Sequence, residues 1–268
     1  MSTHAVTWLF VPGTRPERFE KAAASGAGAV ILDLEDAVAA PLKDDARAAA
    51  ARWLRSSGRA WVRVNSLHSA CAQADLAALR DLPGLQGVVL PKTERAADTE
   101  HVARLLPVPV VALVESAAGL VHLPEVCASP ATARVAFGSL DFVLDIGADH
   151  VPDALLFARS RLVVESRAAG LPSPIDGVTT ALDDLTRVGE DAALARRLGF
   201  GGKLCVHPAQ LAPIQRQFAP AEQEIAWATA VLQADRGGSG AARTPDGELV
   251  DEPVLQRARG ILSRTEPR

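Results

Sequence analysis

Short apolar runs rich in Val, Ile, Leu and Ala alternate with longer amphipathic runs along most of the chain. A short, almost wholly apolar run bounded by turn residues is the pattern of a strand covered on both faces. A longer run with polar residues at helical spacing is the pattern of a surface helix. On this basis strands are predicted at Val6–Val11, Ala29–Asp33, Ala60–Val64, Gly87–Leu90, Pro109–Val114, Ala133–Phe137, Ser173–Asp176 and Gly202–Val206. Helices are predicted between and after them at Pro16–Ser25, Leu42–Ser56, Ala72–Arg80, Ala96–Leu106, Ala117–Ala128, Ala154–Ala169, Leu182–Leu198 and Pro208–Phe218. Gly26, Gly58, Gly170 and Gly199 stand just past the helix ends and are read as stops.

Eight strand–helix units in sequence predict an α/β fold of the (β/α)8 TIM-barrel type. An open doubly wound sheet is the alternative, but no G-x-G-x-x-G follows the first strand and no P-loop lysine motif is present. Past residue 218 the pattern changes. Ala221–Ala234 reads as an amphipathic helix, residues 236–245 as a Gly-, Ser- and Ala-rich connector, and Glu252–Ser263 as a terminal helix. The expected division is a catalytic barrel over residues 1–218 and a C-terminal helical extension over 219–268. Such an extension caps the site or reaches a neighbouring subunit.

Composition narrows the function classes. A formal net charge of −4 argues against a broad nucleic-acid footprint. No apolar run approaches the roughly 20 residues of a membrane helix, and Met1–Thr7 lacks the pattern of a signal peptide. Cys71, Cys127 and Cys205 form no CxxC pair and are expected as buried free thiols. A reducing cytoplasm is the expected location.

The polar residues are placed by the strands. In a β/α barrel the active site lies at the C-terminal strand ends. Here those ends carry Asp33-Leu-Glu35-Asp36, Arg63 with Asn65, Pro91-Lys92, Glu115-Ser116, Gly138-Ser139-Leu140-Asp141, Asp176-Gly177 and His207-Pro208. Carboxylates crowded at one mouth repel and raise each other's pKa. A divalent cation relieves that, and oxygen donors without a Cys or His pair suit magnesium.

The segments Leu9-Phe-Val-Pro-Gly13 with Pro16-Glu-Arg-Phe-Glu-Lys21, Asp33-Leu-Glu-Asp36, Val62-Arg-Val-Asn65, Leu90-Pro-Lys92, Glu115-Ser-Ala-Ala-Gly119, Phe137-Gly-Ser-Leu-Asp141, and Leu198-Gly-Phe-Gly-Gly-Lys203 through Val206-His-Pro-Ala-Gln210 occur in order. Together they resemble the citrate lyase β-subunit family, with the malyl-CoA and citramalyl-CoA lyases, in the HpcH/HpaI aldolase superfamily. The resemblance runs over nearly the whole chain.

It implies a magnesium-dependent carbon–carbon lyase acting on a small hydroxy or keto acid carried as a thioester, citryl-CoA being the expected substrate and oxaloacetate and acetyl-CoA the products. The family's metal ligands match Glu115 and Asp141. Its substrate-gripping arginine matches Arg63, a residue whose planar fork suits a carboxylate; a structural salt bridge to Asp33, Glu35 or Asp36 is the alternative role. Glu35 and Asp36 are expected to orient Arg63 and metal-bound water. Gly138, Ser139 and Leu140 join Glu115 and Asp141 in substrate binding. Phe10, Lys21, Val206 and His207 match coenzyme A contacts, although His207 equally serves as a cap for the helix after Pro208. At Glu17 the chain departs from relatives that carry a lysine, so a carrier-protein thioester fits as well as free coenzyme A. Gly247-Glu-Leu-Val-Asp251 matches a motif whose aspartate is an acid/base acting in a neighbouring subunit, which implies a homotrimer or hexamer; N-capping the final helix is the alternative for Asp251. Acyl-carrier or lyase-complex subunits are further partners the resemblance allows. The rival readings are a malyl-CoA or citramalyl-CoA lyase with malate-synthase-like activity, a pyruvate-type class II aldolase, and a non-catalytic binding subunit.

Overall fold

The computed structural model describes residues 3–235, 242–243 and 249–263. Eight parallel strands close into a barrel in chain order: β1 (Thr7–Pro12), β2 (Ala29–Asp33), β3 (Ala60–Arg63), β4 (Leu85–Leu90), β5 (Val110–Val114), β6 (Thr132–Phe137), β7 (Ile175–Asp176) and β8 (Gly202–Cys205). Closure is made by β1 against β8, with Thr7, Trp8 and Leu9 opposite Lys203, Leu204 and Cys205. The (β/α)8 barrel is therefore the observed architecture.

The helices that follow the strands are α1 (Phe19–Ala23), α2 (Lys43–Arg55), α3 (Ala72–Leu79), α4 (Ala96–Leu105), α5 (Ala117–Val121), α6 (Leu123–Ala128), α7 (Ser139–Ile146), α8 (Pro152–Ala168), α9 (Leu185–Leu198) and α10 (Leu211–Phe218). Several differ from expectation. The run Ala117–Ala128 breaks at His122, because Pro124 in the first turn of α6 has no N–H to continue α5. Pro16–Arg18 and Pro208–Gln210 are single 3-10 turns that lead into α1 and α10. Helix α7 lies where no helix was predicted. Its N-cap is Gly138, which has no side chain to announce a helix start.

The barrel interior is filled by Trp8, Ile31, Trp61, Val89, Val111, Leu113, Ala136, Ile175 and Leu204. Trp8 and Trp61 meet edge to face with ring centroids 4.9 Å apart. Fully burying side chains of this size contributes roughly 1.5–3 kcal/mol each. Arg134 closes the opposite end from the candidate site, donating to the carbonyls of Thr3 (2.7 Å), Ala5 (2.9 Å) and Ser173 (2.7 Å). Side chains alternate along a strand, so the inward positions also fix which strand-end residues face the cavity. Phe10 follows Trp8, Asp33 follows Ile31, Arg63 follows Trp61, and Glu115 follows Leu113.

Outward positions at the other side of the barrel carry charge. Asp176 and Lys203 point away from Ile175 and Leu204, and Arg159 of α8 meets them. Arg159 Nε lies 3.0 Å from Asp176 Oδ1, and Lys203 Nζ lies 3.0 Å from Asp176 Oδ2. All three are buried.

Two compact units divide the chain, Met1–Gln215 and Arg216–Arg268. In the second, α11 (Glu222–Asp235) and α12 (Glu252–Leu262) pack through Ala228, Val231, Leu255, Ala258 and Ile261. A two-stranded antiparallel ladder joins β9 (Ala242–Arg243) to β10 (Leu249–Val250). The connector expected over 236–245 falls outside the described residues apart from Ala242 and Arg243, and so does Gly247 of the tail motif. Cys127 and Cys205 are buried free thiols, whereas Cys71, beside a turn at the start of α3, is only half-buried. Among the described residues no helix is long and apolar enough to cross a membrane.

Candidate active site

The C-terminal strand ends enclose a cavity of about 400 Å³ whose walls include Phe10, Asp33, Arg63, Glu115, Asp141 and Val206. Its floor is apolar because Leu113, Phe137 and Leu204 continue the barrel core upward.

Asp33 ends β2 and is buried. Its carboxylate accepts Arg63 Nε and Nη2, both at 2.7 Å, and the backbone N–H groups of Glu35 (2.9 Å) and Ala37 (3.1 Å). One aspartate thus fixes both the arginine and the loop that carries Glu35 and Asp36. The remaining arm of Arg63, Nη1, lies 3.1 Å from Glu35 Oε2 and 3.2 Å from Asp36 Oδ2. The guanidinium also lies over the Phe10 ring, 4.8 Å from its centroid. Burial opposes its charge, but Asp33, Glu35 and Asp36 outweigh that and raise its pKa further. The salt-bridge role for Arg63 is therefore present, with all three acids at once.

Glu115 follows β5 and is buried. Its Oε1 accepts the N–H of Lys92 at 2.8 Å, while its Oε2 is buried without a hydrogen-bond partner. Burial, then the charges of Glu35 and Asp141, push its carboxyl up to about 8. Glu35 is pushed up to about 7, first by burial, with Arg63 pulling against it. Asp141, in the first turn of α7, is raised by burial and by Asp36. Lys92 adopts the left-handed conformation, φ 51°. That is uncommon for a residue with a side chain, and it is the turn that aims the N–H at Glu115. Its ammonium stands 3.6 Å from Glu35 Oε1.

This donor set fits a hard cation. A buried carboxylate oxygen without a partner is costly, and three neighbouring carboxyls sit above their ordinary pKa, first through burial and then through the charge of nearby carboxylates. Among the described residues no group of three His, Cys, Asp or Glu is arranged to hold a metal ion. Two carboxylates with open positions suit magnesium, which keeps water and substrate oxygens in its shell.

Gly138 closes the site from β6. Its N–H donates to the Val114 carbonyl at 2.9 Å, and a Cβ here would collide with Glu115. Ser139 follows, buried, with Oγ 3.0 Å from Nε2 of His150. Leu140 is partly exposed and lines the mouth.

The expected coenzyme contacts are divided. Phe10 and Val206 line the cavity, whereas Lys21 is exposed on α1 and does not. His207 caps the turn after it, its Nδ1 accepting the Ala209 N–H at 3.2 Å. Asp251 caps α12, accepting the Val254 N–H at 3.1 Å. The sequence reading missed His150 and the backbone role of Lys92. Pro91-Lys92 was visible as a strand end, but neither residue is one that favours the left-handed region, and nothing in the sequence ties His150 to Ser139.

Comparison with known proteins supports the same reading. The model of the HpcH/HpaI aldolase/citrate lyase family matches residues 7–208. A citrate lyase subunit beta-like protein of Deinococcus radiodurans is 38% identical, covering 95% of each chain. A (3S)-malyl-CoA thioesterase of Cereibacter sphaeroides is 34% identical, covering 96% of this chain and 93% of that one. The crystal structure of CitE from Mycobacterium tuberculosis in complex with magnesium, acetoacetate and coenzyme A superposes with a TM-score of 0.86 at 36% identity, over 97% of both chains. With the barrel, the strand-end motifs and these similarities in agreement, the chain belongs to the HpcH/HpaI aldolase/citrate lyase family.

Proposed function

We propose that the protein is a magnesium-dependent lyase that cleaves, or forms, a carbon–carbon bond in a 3-hydroxyacyl thioester. Citryl-CoA is the proposed substrate, with oxaloacetate and acetyl-CoA as products. The observation that carries this reading is the buried, unpartnered Oε2 of Glu115 in a cavity it shares with Asp141 and Arg63. Glu115 and Asp141 would hold the cation, which when bound supplies Lewis-acid polarisation of the substrate's hydroxyl or keto oxygen.

The chain's own residues do the rest. Asp33 grips two arms of Arg63, so the guanidinium is preorganised, and its outer N–H groups stabilise the oxygen on which negative charge develops. Glu35 and Asp36 keep the third arm in place. The N–H groups of Ser139 and Leu140, at the start of α7, bind the acid's carboxylate. Phe10 and Leu113 keep water off the reacting carbon. As the bond breaks, the substrate hydroxyl gives up its proton to solvent, and the Asp251 carboxyl, reprotonated from solvent after each turnover, protonates the α-carbon of the departing acyl thioester. In synthesis Asp251 removes that proton. Following the family resemblance, Asp251 is supplied by a neighbouring subunit of a homotrimer. Self-association is supported by exposed apolar residues on adjoining helices: Val121 of α5, Leu144 of α7, and Leu156, Phe157 and Val164 of α8.

A second reading, hydrolysis or cleavage of malyl-CoA, is favoured by the thioesterase relative. One assay separates the two. Purified protein with magnesium is given citryl-CoA, malyl-CoA and citramalyl-CoA, and keto acid and free thiol are followed together, beside Glu115→Ala. Keto acid without thiol, lost in the variant, is the lyase result. Thiol without keto acid is the thioesterase result and overturns the lyase reading, as does silence on all three.

A further inference from the structure

We propose that His150 is a positioning residue, which through Ser139 fixes the turn carrying Gly138 and Asp141 and so sets the spacing of the two cation ligands. The inference rests on Glu115 and Asp141 being those ligands.

Four residues span the turn from β6 into α7, and each end is tied down differently. Gly138 is held by its N–H on the Val114 carbonyl, 2.9 Å away on β5, and lies against Glu115. Ser139 is the first residue of α7, and among the described residues its side chain's one hydrogen-bond partner is His150 Nε2, at 3.0 Å. Asp141 follows two residues later on the same turn. A rotation of the turn about Gly138 therefore moves Asp141 relative to Glu115, and the Ser139–His150 bond resists it.

The wall behind Ser139 is rigid. Gly177 follows β7, and a Cβ there would collide with Ser139 Oγ and lie 2.9 Å from its Cβ. The Gly177 carbonyl accepts Lys203 Nζ at 2.7 Å, and Lys203 with Arg159 grips Asp176. Ser139 thus has a close-packed surface on one side and one hydrogen bond on the other. His150 is delivered by the loop between α7 and α8, which begins at Gly147 in the left-handed conformation, φ 69°, and is held by the Ala148 N–H on the Val143 carbonyl at 2.9 Å. The charged groups around the imidazole are Arg159, Lys203, Asp176 and Asp191. Burial, then Arg159, hold its pKa below the ordinary value. The neutral ring exchanges one hydrogen bond with the serine hydroxyl, either as donor or as acceptor.

The test is a double-mutant cycle with magnesium affinity as the readout. Calorimetry on wild type, His150→Ala, Ser139→Ala and the double variant measures binding of the metal alone. A single hydrogen bond to a buried group is worth about fivefold to tenfold. Each single variant is expected to weaken magnesium binding by about that factor, and the double variant no further, because both remove one link. His150→Gln, whose amide reaches the same hydroxyl, is expected to restore most of the affinity. Lyase turnover in His150→Ala is expected to fall at low magnesium and recover at saturating magnesium, a pattern that general structural damage does not give. Additive losses, unchanged affinity in variants that fold, or no rescue by glutamine would each overturn the inference while leaving the ligand assignment intact. Failure of the wild type to bind magnesium overturns both.

Discussion

Gly138→Ala isolates the packing of the metal-binding pair. The backbone at Gly138, φ −86° and ψ 71°, does not need glycine's left-handed freedom. The cost of alanine is therefore contact, not conformation. An added Cβ lies 2.5 Å from Glu115 Cβ and collides with its Oε2. Ordinary carbon–carbon contact begins near 3.5 Å, so Glu115 or the turn must retreat by about 1 Å. Overpacking of this kind costs about 1–3 kcal/mol, and a 1 Å misplacement of a reacting group costs about 100-fold in rate. The variant is expected to fold, to melt a few degrees lower, to bind magnesium more weakly and to release keto acid about 100-fold more slowly. Thermal unfolding, calorimetry and the coupled assay read these separately. Wild-type magnesium affinity and turnover in a folded Gly138→Ala protein would refute the claim that this glycine is needed to seat Glu115.

Three further outcomes follow from the same geometry. Glu115 has a folded-state pKa of about 8 against 4.5 for the free side chain, so its contribution to stability is complete below pH 4.5 and is lost as pH rises through 8; the melting temperature of metal-free protein should fall over that range, and the gain on adding magnesium should grow with pH. Asp176→Asn leaves Arg159 and Lys203 buried without their counter-charge and is expected to cost about 3–5 kcal/mol in denaturant unfolding; a loss below 1 kcal/mol would mean that the cluster is solvated. Asp251→Asn keeps the α12 cap, since Asn and Asp cap equally well; the fold and magnesium affinity should therefore survive while kcat falls about 100-fold or more, and unchanged kcat would leave Asp251 with only its capping role.

What the sequence disclosed and what it hid divide along physical lines. Strand runs are local, so Asp33, Arg63 and Glu115 were placed at the strand ends from sequence, whereas Phe10 came from the family resemblance; in the structure each lies two positions past an inward residue, Ile31, Trp61, Leu113 and Trp8. Helix ends announced by a side chain were also within reach. The start of α9 at Leu185 rather than Leu182 traces to Asp184, whose carboxylate accepts the Arg187 N–H at 3.0 Å. Helix α7 was hidden because its cap is a glycine, so the residues that flank Asp141 were placed only as a strand end when they are the first turn of a helix. That difference matters chemically: as part of a helix, Asp141 moves with Ser139 and Gly138 as one body, and a contact at one is felt at the others. Lys92 was hidden for a different reason. Its left-handed turn is imposed by the tertiary bond it makes, with its N–H on a carboxylate 23 residues away. The strain is tolerable because that bond seats Glu115 Oε1 and turns Oε2 toward the cavity without a partner. Sequence periodicity thus located the carboxylates, but the features that make them a cation site, one satisfied oxygen and one left open, come from backbone conformation that no residue type advertises.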